Sequence, residues 1–359
     1  MEKGTKFIRQ IQSMAKEKSF RETHVKNAQK DFIRTRKMTF QDTIMCTIGN
    51  TKGPLALETE KFCRKLDRGT ISAAAVCKAR QKIKYTAFKE LFEKTAANIE
   101  RDKKFCGYRI IAFDGMKGEL PRTPEFTEKY KFSSRADAPI FHAILAYDVL
   151  NKVFIMSEFN FGGASEHRAA LNLLEEIKKH EVYKREPQIW LYDRGFPSLK
   201  LLKKLVQHNQ KYVMRVPKSF LKEIKEFQKS EYMDKTVHVK YDEKRKAANR
   251  VDFDGEIEFD VRCIRVKLKN GEEEILITNL ERKIFTKQNI SMLYQLRWGI
   301  ETSFNYLKHS IFIEEFTSRS ENGIFQDFYV SLLVYNFVSC LCGFQDEDNS
   351  LKKQNIRTK

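Results

Sequence analysis

The sequence predicts an α/β protein with partly parallel strands, preceded by a helical region and interrupted by an antiparallel β block. Three observations carry this. Between residues 109 and 216 the apolar pattern runs strand, strand, strand, helix, strand, helix, strand, an order that needs crossover connections and hence some parallel pairing. Residues 217–286 switch to alternating, charge-rich strand signals. The first 105 residues show only helical apolar spacing.

In the helical region (1–105), "PLALETEKFCRKLD" and "TISAAAVCKARQKIKYTAFKELFEKTAANIE" carry the period. Pro54 suits a first helical turn, and Thr70 or Ser72 a cap. With only "RGT" between them, the two segments form a candidate helix-turn-helix whose second helix bears Lys78, Arg80, Lys82 and Lys84. Most basic two-helix pairs, however, do not read a DNA groove. From Arg109 the runs "RIIAFDG", "PIFHAILAYDVL" and "KVFIMSEFNF" are strand-like, the last two joined by an Asn-Lys turn suited to a hairpin. A helix starts at the cap Ser165, then come "QIWLYDRG", the helical "SLKLLKKLVQHNQ" and the strand-like "KYVMRV". Within 217–286, Asn270-Gly271 is a strong hairpin turn. Helix returns at about 287 and continues to 345, and the polar segment 346–359 is expected to be disordered.

The bulk numbers narrow the partners. Across 359 residues, Lys plus Arg outnumber Asp plus Glu by 67 to 48, a formal charge of +19 and a pI near 9.5. That balance favours a polyanion, with nucleic acid ahead of an anionic membrane. Seven cysteines without C-x-x-C spacing suggest neither a disulfide framework nor a zinc site and fit a reducing cytoplasm. The seven histidines lack metal-binding spacing, and no phosphate-binding glycine loop is present. The first 20 residues carry charges throughout, unlike a signal peptide, so nothing argues for export. The uncharged run 328–344 is short for a membrane span and contains Ser331, Asn336, Ser339 and Gly343, so it reads as a buried core helix and no membrane partner is expected.

The stretch "YQLRWGIETSFNYLKH" (294–309) is more specific. Wound as one helix at about 100° per residue, it gathers Tyr294, Arg297, Glu301 and Lys308 into an arc of roughly 60°. Leu293, Leu296, Ile300, Phe304 and Leu307 form the adjoining apolar arc, so the charges face a boundary and not open water. Trp298 and Asn305 lie at the edge. The plain alternative is a surface helix with an Arg297–Glu301 pair of the i,i+4 kind.

Two aspartates complete the pattern. Asp114 ends "RIIAFD" ahead of Gly115, and Asp193 ends "IWLYD" ahead of Arg194 and Gly195. A carboxylate at the C-terminal end of a strand, with glycine relaxing the turn behind it, sits where open α/β sheets place ligands. Each taken alone is also an ordinary turn starter. With Glu301 they make three carboxylates from strand, strand and helix, a cage for two divalent cations of the kind phosphodiester chemistry uses. Such hard oxygen donors suit Mg²⁺ or Mn²⁺. Tyr294, Arg297 and Lys308 then read as phosphate contacts beside the cage.

On these residues the sequence resembles the DDE insertion-sequence transposases, in particular the insertion sequence four family. That family's last catalytic helix reads Tyr-x2-Arg-x3-Glu-x6-Lys, matched in full by Tyr294, Arg297, Glu301 and Lys308. "FDGMKGELP" and "YDRGFPS" are similar to its first and second acidic motifs, and the likeness covers roughly residues 35–345. It implies a ribonuclease-H-like core (106–216 and 287–345), a β insertion (217–286) before the last catalytic helix, and an N-terminal region binding transposon ends. It further implies Asp114, Asp193 and Glu301 as ligands of two Mg²⁺ ions, with Mn²⁺ as a substitute. Tyr294, Arg297, Lys308, Arg194 and Trp298 would contact double-stranded DNA, at transposon ends and target. Trp298, bordering the apolar arc, is read first as a packing residue, with stacking on a displaced base as the alternative.

The same resemblance implies a homodimer on DNA, working on the nucleoid of a prokaryotic cytoplasm. The short segment after the apolar helix departs from relatives with an extended C-terminal dimerisation region. Rival readings are a ribonuclease-H-like nuclease or resolvase without strand transfer, and a DNA-binding relic that no longer cuts.

Overall fold

The computed structural model describes residues 2–342 apart from 35, 51, 66–68, 131–137, 164, 243–254 and 268–270. The segment 346–359 and Asn270 of the hairpin turn lie outside the described residues; Gly271 lies inside, at φ +84°. Six helices come first: α1 (Glu2–Lys16), α2 (Lys18–His24), α3 (Phe40–Ile48), α4 (Leu55–Lys65), α5 (Ala73–Gln81) and α6 (Thr86–Asn98). The sheet region follows with β1 (Arg109–Glu119), α7 (Pro124–Lys129), β2 (Ile140–Asp148), β3 (Val153–Phe161), α8 (Glu166–Lys179), α9 (Glu181–Arg185), β4 (Gln188–Tyr192), α10 (Leu199–Gln207) and β5 (Lys211–Val216). Then come α11 (Lys222–Lys229), β6 (Asp234–Tyr241), β7 (Ile257–Lys267), β8 (Glu273–Thr278), α12 (Lys287–Gln295), α13 (Trp298–His309) and α14 (Glu321–Cys342).

The described strands form one sheet in the order β3-β2-β1-β4-β5-β8-β7-β6. β1, β4 and β5 run parallel at its centre, with antiparallel strands on both sides. The central strands are apolar throughout because helices cover both faces. On one face Ile110, Ala112, Leu191 and Val213 pack beneath α12, α13 and α14. On the other, Ile111, Phe113, Trp190, Tyr192 and Met214 pack beneath α8, α10 and α11. The 217–286 block extends this same sheet, since β8 pairs with β5 from Val213↔Thr278 to Val216↔Ile275.

The N-terminal helices share the first of these cores. Phe7, Ile11, Ile44, Phe88 and Phe92 pack in one cluster with Ile324, Phe328 and Leu332 of α14. Among the described residues α14 is the one helix long and apolar enough to cross a membrane, and 67% of that stretch is buried inside the protein.

Two sequence expectations change here. The run 70–100 is not one helix: α5 stops at Gln81, and Lys82 to Tyr85 connect it to α6. Of its four basic residues only Lys78 points outward without a bond described for it. Lys82 pairs with Asp31 at 3.5 Å, Lys84 donates to the Thr23 carbonyl, and Arg80 is built into α14. Lys78 and Lys84 stay exposed and Lys82 partly so, and only Arg80 is withdrawn from a face that could meet DNA. Likewise 294–309 is two helices, because around Leu296 and Arg297 the hydrogen bonds tighten to the i→i+3 kind (Arg297 N to Tyr294 O, Gly299 N to Leu296 O, Ile300 N to Arg297 O).

Candidate active site

Strand register builds the site. β1 and β4 pair in parallel as far as Phe113↔Tyr192, and β4 and β5 as far as Tyr192↔Met214. Side chains alternate along a strand. Ala112, Leu191 and Val213 therefore form an apolar row on the α13 face, and the next row on that face is Asp114, Asp193, Arg215. Adjacent strands stand about 4.8 Å apart, which brings the three charged groups abreast.

Asp193 leaves the end of β4 into a turn closed by Phe196 N to Asp193 O at 3.1 Å. Asp114 differs from expectation. It is not at a strand end, because β1 continues through Gly115 to Glu119 against β2 alone, from Asp114↔Leu145 to Glu119↔Ile140. What stops at Asp114 is the parallel pairing. Gly115 supplies room and not a turn, since a Cβ there would meet His142 Nε2 at 2.8 Å and Glu166 Oε1 at 3.3 Å.

The bent helix pair lays its polar groups over this row. From α12, Tyr294 donates its hydroxyl to Asp193 Oδ1 at 3.0 Å. Arg297, 3% exposed, donates Nη1 to Asp114 Oδ2 at 3.1 Å and Nη2 to Glu301 Oε1 at 2.8 Å. The apolar arc holds the pair down, with Leu293, Ile300 and Leu307 fully buried and Phe304 nearly so. Beneath α13, the buried Ser303 accepts from Tyr335, whose hydroxyl meets that of Tyr147 at 2.9 Å.

Charge shapes the site. Burial pushes the Asp114 carboxyl up to about 6; Arg297 and the Gly115 N–H oppose this, while the Glu301 and Asp193 charges add to it. Burial, with Asp193 alongside, also holds the Tyr294 hydroxyl well above the usual phenol range, so it remains a neutral donor. The donor set is all carboxylate oxygen, and Asp193 and Glu301 stand close enough to Asp114 for their charges to raise its proton affinity. Carboxylate oxygen is the donor type that a hard divalent cation takes. Among the described residues no three acidic, histidine or cysteine groups close on one point, and the Arg297 guanidinium lies between Asp114 and Glu301.

The remaining expected residues are placed apart from this cluster. Lys308 donates to the Lys117 carbonyl at 3.2 Å and pairs with Glu314 at 2.8 Å, three residues and roughly 10 Å along β1 from Asp114. Arg194 is exposed on the turn after Asp193. Trp298 is 58% exposed, with the Arg297 guanidinium 5.2 Å from its ring, so it is not the core-packing residue its position on a straight helix suggests.

Sequence reasoning missed Arg215 and Glu274. Arg215 lies 3.7 Å from Asp193 Oδ1 and 2.7 Å from Glu274 Oε1 on β8. The available signal was a lone charge near the end of the apolar run "KYVMRV", the third strand of the parallel set.

The chain is similar to known transposases. A family model described as "Transposase DDE domain" matches residues 105–337, which include Asp114, Asp193 and Glu301. The transposase InsG for insertion sequence element IS4, from Escherichia coli (strain K12), is 23% identical over 328 residues, covering 85% of this chain and 70% of that protein. Among solved structures, the cryo-EM structure of the piggyBac transposase synaptic complex with hairpin DNA is similar over 98% of this chain and 77% of that chain. Its TM-score of 0.51 at 14% identity speaks to the fold.

Proposed function

The chain belongs to the transposase DDE domain family and is a DNA transposase, and from that premise we propose that it cuts and rejoins DNA at insertion-sequence ends through Asp114, Asp193 and Glu301. The observation that carries this is the row set by parallel register: Asp114 and Asp193 abreast, with Glu301 joined to Asp114 through Arg297. The core is ribonuclease-H-like in this reading, supported by the strand order β3-β2-β1-β4-β5, with 217–286 as the insertion before the last catalytic helix. Its work is done on the nucleoid of a prokaryotic cytoplasm, by a homodimer assembled on double-stranded DNA, with the helical region 1–105 at the transposon ends.

Asp114, Asp193 and Glu301 would hold two Mg²⁺ ions, for which Mn²⁺ could substitute. When bound, the ions activate the attacking oxygen and stabilise the leaving one. The protein's own groups position the phosphodiester. Tyr294 orients Asp193 by its hydrogen bond, and Arg297 keeps Asp114 and Glu301 at a fixed separation. Arg194 and Lys308 lie on either side along the sheet edge as backbone contacts, and the exposed Trp298 ring takes a base by stacking.

Strand transfer is the deciding test. With Mg²⁺, the full chain should nick end-containing DNA and join precut ends to a target, and Asp114→Ala should do neither while still binding ends. Nicking without joining would instead assign a nuclease or resolvase. End binding with no cleavage by the unaltered chain would indicate a relic.

A further inference from the structure

We propose that Glu166, seated with His142 and His167 on the opposite face of the sheet, is a positioning residue that sets the spacing of Asp114 and Asp193; this rests on the reading of those aspartates as metal ligands. Hydrogen-bonded pairing between β1 and β4 ends at Phe113↔Tyr192, so no ladder bond fixes the separation of the next two residues, which are the aspartates. The first turn of α8 spans that gap. Ser165 caps the helix by accepting from Arg168 N and directs Glu166 and His167 toward the strand ends. His167 Nδ1 meets the Phe196 carbonyl at 3.0 Å and so grips the turn that begins at Asp193.

Glu166 acts as a wedge. One oxygen lies 3.3 Å from where a Cβ on Gly115 would stand, and the other occupies the place of a Cβ on Gly195. Gly115 follows Asp114 and Gly195 is two residues beyond Asp193, so the carboxylate touches both aspartate-bearing segments where neither has a side chain. Its first oxygen is 3.7 Å from Nε2 of His142, which is 2% exposed and stands opposite Lys117 in the β1–β2 register. The wedge therefore rests on β2 and transmits the position of α8 to both aspartates.

Two measurements on the full chain test this. In hydrogen–deuterium exchange without divalent cations, Glu166→Ala should speed exchange of the 193–198 amides about tenfold while leaving 109–113 unchanged. In Mn²⁺ titration read by electron paramagnetic resonance, Glu166→Ala should weaken binding on the order of tenfold, as loss of an outer-shell support does. Glu166→Gln, which keeps the wedge's shape, should restore most of it. Gly195→Ala fills the seat and should reproduce the loss, and its effect combined with Glu166→Ala should fall short of additive. Unchanged exchange at 193–198, additive effects, or weakened folding with unaltered Mn²⁺ affinity would each overturn the proposal. Undiminished Mn²⁺ binding by Asp114→Asn would overturn the metal reading alone, because the exchange result does not depend on a cation.

Discussion

Two arginines of predicted helix, Arg297 buried and Arg80 largely so, end up with opposite roles. Arg80 joins α5 to α14: Nε donates to Gln326 at 2.7 Å, Nη1 to Thr317 at 2.7 Å, and Nη2 to the Gly323 carbonyl and to Asp327 at 2.8 Å. Asp327 also accepts from the Thr317 backbone N–H, and Lys52, itself near Glu315, stands close enough to act on the pair through its charge. Arg297 bridges Asp114 and Glu301, with Asp193, Arg215 and Glu274 next to them. Four carboxylates there face two guanidiniums, and Asp114 retains its proton to about 6. A buried Arg–carboxylate pair thus either completes a fold or belongs to a site short of positive charge. The carboxylate count around it, not the arginine, separates the two cases.

The comparison is broken most sharply at the acidic side. Asp114→Asn should abolish nicking of end DNA in Mg²⁺ without unfolding the protein, and residual nicking in a clean preparation would remove Asp114 from the mechanism. Arg80→Met should leave Asp327 buried and unpaired and cost about 3–5 kcal/mol in urea unfolding. A cost below about 1 kcal/mol would place Arg80 with ordinary surface pairs.

Linkage at Asp114 sharpens the contrast. Its folded carboxyl binds its proton more tightly than an unfolded one, so between about pH 4 and pH 6 the native state holds the extra proton and stability falls as pH rises. Without divalent cations, Asp114→Asn should match the unaltered chain at pH 4 and exceed it at pH 8 by up to about 3 kcal/mol. An equal gap at both pH values would refute the charge argument. The smallest effect belongs to Lys308→Ala, which should flatten the salt dependence of end binding by a slope of about 1, read from affinities at several salt concentrations.

How much of this was readable before folding depended on whether a feature is local. The Ser165 cap, the apolar arc from Leu293 to Leu307 and the aspartate closing "IWLYD" all show in a window of a few residues, because capping, helical period and strand-end chemistry act over that range. The Gly115 position did not. Glycine after aspartate looks like a turn, and only β2 pairing onward to Ile140 makes it the middle of a strand. The break at Leu296–Arg297 was hidden for a similar reason, since no proline marks it and Gly299 in the tightened turn reads equally well inside a continuous helix.

The sequence alone determined the types of the proposed acting groups: three carboxylates, a tyrosine, an arginine and a lysine in an order that matches a known family. It also determined an excess of positive charge suited to DNA. Tertiary structure alone decided that Asp114, Asp193 and Arg215 share one row, that Glu166 reaches the same strands from behind, and that Arg80 faces inward. Those facts follow from which strands are neighbours and in what register, and a strand buried on both faces carries no pattern along its own length from which to read its neighbours.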